Sequence, residues 1–479
     1  MPDFGFIGSA YEAASPTQDT QTLINWYVEL DSAKPQGERG VTALYPTPGL
    51  LSKAQLAVAE VRGLHVLPGC QYLLAVAGNT LYSITTGYVV TAVGTLATTA
   101  GRVYISDNGV AAYIVDGPQR YSYIWGTNTF SVVTDGPFDG GSTCDELDNF
   151  VVYSRPFTNQ FGCTDVGDIT SYALNLGSKI GGSDNIVAVF ADHRQILVFG
   201  EKSSERWVNV GTYPFPFAII PGASIQHGLG AKDSVARLGE GMAFLALDDR
   251  GEATVVAWGA TFAAPLRIST FAIENSIQSY AVTSDAVGYS YSQAGHEFYV
   301  LTFPTADVTW VYDLATQQWH RRAWRDTQNI LHRHRSNCAA VFNGEIIVGD
   351  FENGKLYSLS QSTYTDDGVP LPAIRRGPHL TNDLKRMFFY NLQLQFQPGV
   401  GLQSGQGSDP ECILRWSNDG GFTWNNDHVL KLGKAGKYRK RAIKRRLGCA
   451  RDRVFEIEVT DPVYRAFVSA EMDAEGGAN

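Results

Sequence analysis

Short runs of apolar, aromatic and β-branched residues, each closed by Gly, Asn or Asp, recur along most of the chain. Residues 72–77 stop at Gly78-Asn79 and resume at 80–84, residues 101–106 stop at Asp107-Asn108-Gly109, and residues 150–153 form another run. The pattern continues with 196–200 and 206–210, with 242–247 before a turn through Asp249-Arg250-Gly251, and with 298–302 and 309–312. A last unit covers 339–342, turns at Asn343-Gly344 and passes through 345–349 to 355–359. An Asn-Gly pair between strand-forming runs signals a hairpin, because the tight turn needs positive φ at both central positions. The units start roughly 30 to 55 residues apart, near the per-blade period of β-propellers, and number six or seven. The stretch from Val311 to Trp319 has the strand, Asp turn and closing aromatic of a kelch-type blade. An all-β chain is expected, with a six- or seven-bladed β-propeller over residues 51–365 and a pair of β-sandwiches as the structural alternative.

The flanks read differently. Residues 1–50 carry Pro16, Pro35, Pro46 and Pro48 with little periodicity, which predicts an extended N-terminal arm that wraps or docks. A Gly- and Pro-containing loop around 366–378 opens a third region, 366–479. There Phe388, Tyr390, Leu392, Leu394 and Phe396 alternate with Phe389, Asn391, Gln393 and Gln395, the period of a strand with one apolar face. Further strands at 411–417, 438–446, 453–460 and 463–470 predict a small antiparallel C-terminal β-sandwich.

Charge changes this picture. The chain has a formal net charge of −10, but residues 431–453 hold eleven Lys and Arg against one Asp, so a +10 segment sits on a −20 remainder. An acidic body repels nucleic acid, whereas a compact basic segment attracts phosphate or an acidic protein surface. Glu456 and Glu458, on one side of the next strand, are placed to pair with some of these cations, and two acids cannot neutralise eleven. Lys437, Arg439, Lys440, Arg441, Lys444, Arg445 and Arg446 form the candidate basic interface, facing an acidic protein, DNA or water. Six scattered cysteines without C-x-x-C pairs predict reduced thiols and no zinc ribbon. Neither a leader-like N-terminus nor a membrane-length apolar run is seen, so synthesis and assembly in the cytoplasm are expected.

Ser417-Asn418-Asp419-Gly420-Gly421-Phe422-Thr423-Trp424 matches the Asp-box pattern S-x-D-x-G-x-T-W. Its physics is local: Ser417 and Asp419 bond turn backbone, Gly421 supplies an unusual φ, and Trp424 plugs the hairpin base. The box therefore reads as a structural turn, although it also motivates a rival function, a carbohydrate-binding or sialidase-like propeller recognising host glycans. His332 and His334 stand at i and i+2 beside arginines, which disfavours a metal and favours a structural role. Asp366-Asp367-Gly368 reads as a turn. No phosphate-binding loop, dinucleotide fingerprint, zinc-protease motif or nucleophile elbow is present, so no catalytic, cofactor-binding or metal-binding residue is assigned and no enzyme is expected.

Three stretches together resemble the packaged-DNA stabilisation proteins of short-tailed bacteriophages, the tail-hub or nozzle family. They are Asn25-Trp26-Tyr27-Val28-Glu29 with residues 44–50, residues 225–232 running through 241–247 to 265–270, and the hairpin 414–424 with its continuation through 438–448. The resemblance implies a structural virion protein of the tail: a hexameric ring with a propeller body below the head-to-tail adaptor. It further implies a needle or fibre beneath, retention of packaged DNA, a channel for genome ejection, and neither catalysis nor cofactor.

Overall fold

Hairpins joined by tight turns stack into four-stranded antiparallel sheets, and seven such sheets follow one another around a ring. The computed structural model describes residues 4–31, 33, 41–248, 251–383 and 385–477. Pro35 of the arm and the expected turn residues Asp249 and Arg250 lie outside them.

Blade one runs from Val61–Val66 to Val90–Thr95, blade two from Tyr104–Asp107 to Thr129–Val132, and blade three from Cys144–Leu147 to Leu176–Ser178. Blade four runs from Ile186–Asp192 to Phe217–Ile219, blade five from Gly228–Leu229 to Leu266–Arg267, and blade six from Val287–Gln293 to Gln318–Arg325. Blade seven takes Ser336–Phe342, Glu345–Asp350 and Lys355–Ser360 from its own stretch and its fourth strand, Gly49–Gln55, from near the N-terminus. Because Ser336–Phe342 also lies against Val61–Val66, first and last blades meet and the ring closes. Gly49 is required at the join: a Cβ there would stand 2.5 Å from the carbonyl oxygens of Thr363 and Thr365.

The blades are held by apolar faces pressed together. Leu74 and Val76 of blade one pack on Ala112 and Ile114 of blade two, and Leu197 and Phe199 of blade four on Phe244 and Trp258 of blade five. Each such side chain taken fully out of water contributes about 1.5–3 kcal/mol. At Asn343-Gly344 both residues have positive φ, 53° and 74°, the geometry expected of that pair.

The C-terminal region is a two-layer sandwich. One sheet orders Trp26–Leu30, Thr42–Pro46, Phe467–Gly476, Met387–Phe396 and Ala442–Ala450; the facing sheet orders Thr20–Ile24, Ala373–Arg376, Asp452–Val459, Glu411–Ser417 and His428–Lys431. Two expectations change here. The buried residues of Met387–Phe396 are Phe389, Leu392, Leu394 and Phe396, while Phe388 and Tyr390 are exposed. A register shift between Phe389 and Asn391 inserts one residue and reverses the alternation, as a β-bulge does. The basic strand is Ala442–Ala450 instead of 438–446, with 432–441 forming a loop.

The arm docks on its own chain. Thr20–Ile24 pairs antiparallel with Ala373–Arg376 and parallel with the outer strand of blade six, fusing that blade and one sandwich layer into a continuous sheet. Trp26–Leu30 and Thr42–Pro46 complete the other layer, and Gly49–Gln55, astride the expected boundary at 50, closes the propeller. The expected loop at 366–378 likewise contains strands, including Ala373–Arg376.

Asn25 makes the crossing between layers. Its φ of 55° redirects the chain, and its fully buried side chain donates to the carbonyls of Ala323 at 2.7 Å and Pro372 at 2.6 Å while accepting from the Ala323 amide at 3.1 Å. Trp26 then enters the sandwich core and Tyr27 packs edge-on against Phe298 of blade six. Glu29 reaches His296 Nε2 at 2.8 Å, and Asp313 holds Nδ1 of the same ring at 2.8 Å. The Asp313 hydrogen bond, with help from Glu29 and against desolvation, pushes His296 up to about 9.

Two outcomes follow from this junction. Asn25→Ala leaves two carbonyls and an amide unmatched inside the protein and puts at positive φ a residue that bears left-handed backbone less readily than Asn, so denaturant unfolding should show a loss of about 3–5 kcal/mol. For His296 the folded-state value lies above the unfolded one, so its stabilisation is complete below the unfolded value near 6.5 and is lost as pH rises through about 9. The stability difference between the native protein and His296→Gln should be about 2 kcal/mol in mild acid and should shrink steadily in urea unfolding carried to higher pH.

Candidate functional site

Ala442–Ala450 is an edge strand, paired with Met387–Phe396 on one side only, and its loop returns from the edge strand His428–Lys431 of the other layer. The basic segment therefore runs along one open side of the sandwich. Lys437, Arg439, Lys440 and Arg441 lie exposed in the loop; on the strand Arg445 and Arg446 are exposed and Lys444 is half-buried. Arg446 has a φ of 59°, and this kink breaks the alternation so that two consecutive arginines face solvent. Among the described residues, none of the seven has a carboxylate within ion-pair distance. Lys444 Nζ lies 3.2 Å from His428 Nδ1, and the ammonium together with burial lowers the imidazole's pKa.

Not every cation of the run belongs to this surface. Lys431 is paired with Glu411 and Asp409. Arg453 is buried beneath Phe389 and bonds Asn418 and the carbonyls of Leu447 and Cys449; burial pushes it down to about 10. Glu456 and Glu458, expected to offset part of the run, are instead held by Arg376, Arg415 and Arg325. Their side chains point to the opposite face from the edge strand. Aromatic rings flank the cations: Tyr438 lies over Gly399, and the exposed Phe388 and Tyr390 share a shallow cavity with Arg445 and Arg446. Positive charge interleaved with exposed rings suits a phosphate- or carboxylate-bearing partner.

The Asp box folds as a self-contained turn. Ser417 Oγ donates to Asp419 Oδ1 at 2.6 Å and accepts from the Gly421 amide at 2.8 Å, while Asp419 accepts from the amide and hydroxyl of Thr423 at 2.9 and 2.5 Å. These bonds hold the Asp419 carboxyl down at about 2. Trp424 does not plug the hairpin base: half-buried, it stacks under the Arg376 guanidinium, 4.7 Å from ring centre to cation. The turn lies beside a groove that sequence spacing did not indicate, lined by Arg321, Arg325, Arg376 and Arg415 with Glu12, Glu456 and Glu458. These arginines come from blade six and two sandwich strands, and all are tied to carboxylates of the same groove.

The remaining candidates resolve into structure. His332 bonds Asp307 at 2.6 Å, whereas His334 is buried against Ser336, so the two rings do not converge. No cluster of three or more His, Cys, Asp or Glu able to hold a metal occurs among the described residues. Asp367 and Gly368, with φ of 51° and 86°, make a tight turn after the buried Asp366.

A closed propeller fused through a shared sheet to a sandwich with a cationic edge defines a β-structural protein. Residues 29–364 match the family described as Bacteriophage P22 Gp10, beta-propeller, and residues 374–475 match Bacteriophage P22 Gp10, beta-sandwich. The chain belongs to the bacteriophage P22 Gp10 family and is a phage tail structural protein of the virion. No curated protein matches it. Among solved structures it is similar to one titled Crystal Structure of Mitotic Checkpoint Complex, at 12% identity over 69% of this chain and 98% of that one, with a TM-score of 0.42. Another, titled Structure of U3-55K, has 10% identity over 65% and 99% of the two chains and a TM-score of 0.42.

Asp419→Ala removes the acceptor that closes the Asp-box turn without touching the cationic edge. Thermal unfolding followed by circular dichroism should fall by a few degrees, and Asp419→Asn, which keeps one acceptor, should lie between the two.

Proposed function

We propose that the chain is the tail hub, or nozzle, of a short-tailed phage: a ring, most simply of six copies, seated below the head-to-tail adaptor and above a needle or fibre. In this reading it retains packaged DNA, provides the channel for ejection, and works by binding and not by catalysis. It is assembled in the host cytoplasm with its thiols reduced. The observation that carries the reading, beyond family membership, is the row of seven cations from Lys437 to Arg446 with no carboxylate partner among the described residues. A +10 segment on a −20 body gives each subunit a strong charge asymmetry, which orients it against an acidic neighbour. That neighbour is the adaptor or the adjacent subunit, with packaged DNA the lesser partner. The glycan-recognising rival gains nothing from the site, because the Asp-box groups are engaged in their own turn and the groove arginines in ion pairs.

Exposed pairs contribute only about 0.2–1 kcal/mol each, so attachment through this edge is collective and weakens with salt. Reversing Lys440, Arg441 and Arg445 to Glu should abolish attachment to adaptor-bearing heads while leaving the melting temperature near that of the native protein. Intact attachment with leaking genomes, and a steep salt dependence of DNA binding, would assign the edge to DNA. Unchanged attachment, retention and ejection would reduce it to a solvated face.

A further inference from the structure

Three charged side chains converge where blades six and seven meet the sandwich, and none is paired. Arg322 of Gln318–Arg325 and Arg465, just ahead of Phe467–Gly476, are each 1% exposed, and Asp366 is 3% exposed. No nitrogen of the Arg465 guanidinium has a hydrogen-bond partner, nor do Nε and Nη1 of Arg322, and the Asp366 carboxylate has none beyond the nearby Leu50 amide. Arg322 donates through Nη2 to the Pro48 carbonyl at 2.7 Å and also lies against the Tyr291 hydroxyl. Asp366 feels both arginines: burial pushes it up to about 6, and the charge of Arg322, the Leu50 amide and the charge of Arg465 pull it back. They are close enough to interact and too far apart to touch.

A dry guanidinium with all its donors bare is among the most unfavourable states a protein interior offers, so these groups call for a further partner. The charge balance says what. Two guanidinium groups face one carboxylate, and the adjoining His320 and His334 are buried and held neutral, His320 down at about 3. The other buried carboxylates nearby are committed: Asp313 to His296 and Asp350 to Arg335. The local excess is one positive charge. Enclosure limits the occupant to a small species, and Asp366 disfavours a dianion.

We propose that Arg322 and Arg465 together bind a monovalent anion of halide size, with ordered water joining it to Asp366 and to the partnerless Nε2 of His334. The site fastens the propeller to the sandwich, because its ligands come from blade six, from the strand after blade seven and from the sandwich. It is tested on the full chain with bromide as the probe. Replacing gluconate by bromide at constant ionic strength should raise the melting temperature saturably, and crystals soaked in bromide should show an anomalous peak between the two guanidinium groups. Arg465→Met should remove both signals. Asp366→Asn, which deletes the opposing charge and keeps the shape, should tighten bromide binding by about tenfold or more. If Arg465→Met does not fold, Asp366→Asn alone decides the matter. Water alone between the arginines, Asp366 in direct contact with Arg465, or melting indifferent to bromide in both the native protein and Asp366→Asn would each overturn the proposal.

Discussion

The amide side chain of Asn25 is the constraint on which the architecture turns. One residue lies between a strand of each sandwich layer, so the chain must reverse its course inside the protein with no solvent to satisfy the backbone. Left-handed backbone makes the turn possible, and among non-glycine residues Asn bears that conformation most readily. The amide then satisfies blade six through Ala323 and the sandwich through Pro372. Everything around it depends on this crossing: Thr20–Ile24 bridges blade six to the sandwich, Trp26 fills the sandwich core, and Gly49–Gln55 arrives in register to close the ring. Propeller and sandwich are consequently neither independent domains nor beads on a linker. A disturbance at residue 25 is felt in both.

Open strand edges explain where the unpaired positive charge lies. Ring closure hides the first and last blades from unwanted pairing, and the merged sheet covers the outer edge of blade six. The sandwich keeps two edges on one side, His428–Lys431 and Ala442–Ala450, and the second carries Lys444, Arg445 and Arg446 beside a kink. Charge and irregularity on an edge strand prevent a second copy from adding a strand there. The same cations that guard the edge are then available for a partner that brings negative charge instead of a bare backbone.

What the sequence made legible is what is local. Asn343-Gly344, Gly78-Asn79 and the runs beside them announced the blades, because a hairpin depends only on residues that are neighbours in the chain. The Asp box was legible as a turn for the same reason. The fourth strand of blade seven was not, since Gly49–Gln55 pairs with residues some 300 positions away and its own pattern only says strand. The phase of Met387–Phe396 was misread because a bulge at Tyr390 leaves composition untouched while exchanging the two faces. Glu456 and Glu458 were recognised as a pair and given the wrong partners: their arginines, Arg325, Arg376 and Arg415, come from three separated strands. The seven cations of the interface were visible as a run, yet only the fold separates them from Arg453, which packs under Phe389.

That separation bears on how charge is used in this protein. Arginines whose donors find fixed acceptors, such as Arg375 on the carbonyls of Phe6 and Ser9, replace missing backbone pairing and lock the arm in place. Their charge is a liability offset by hydrogen bonds, which is why burial lowers the pKa of Arg375 to about 9. Arginines of the groove share its carboxylates, Glu456 and Glu458 each holding two, and tie blade six to the sandwich across the shared sheet. Along the open edge, seven cations have no carboxylate partner among the described residues and stand exposed or half-buried. Positive charge in the arm and the groove is thus matched to fixed acceptors, whereas the charge of the open edge is left to solvent and to whatever meets it.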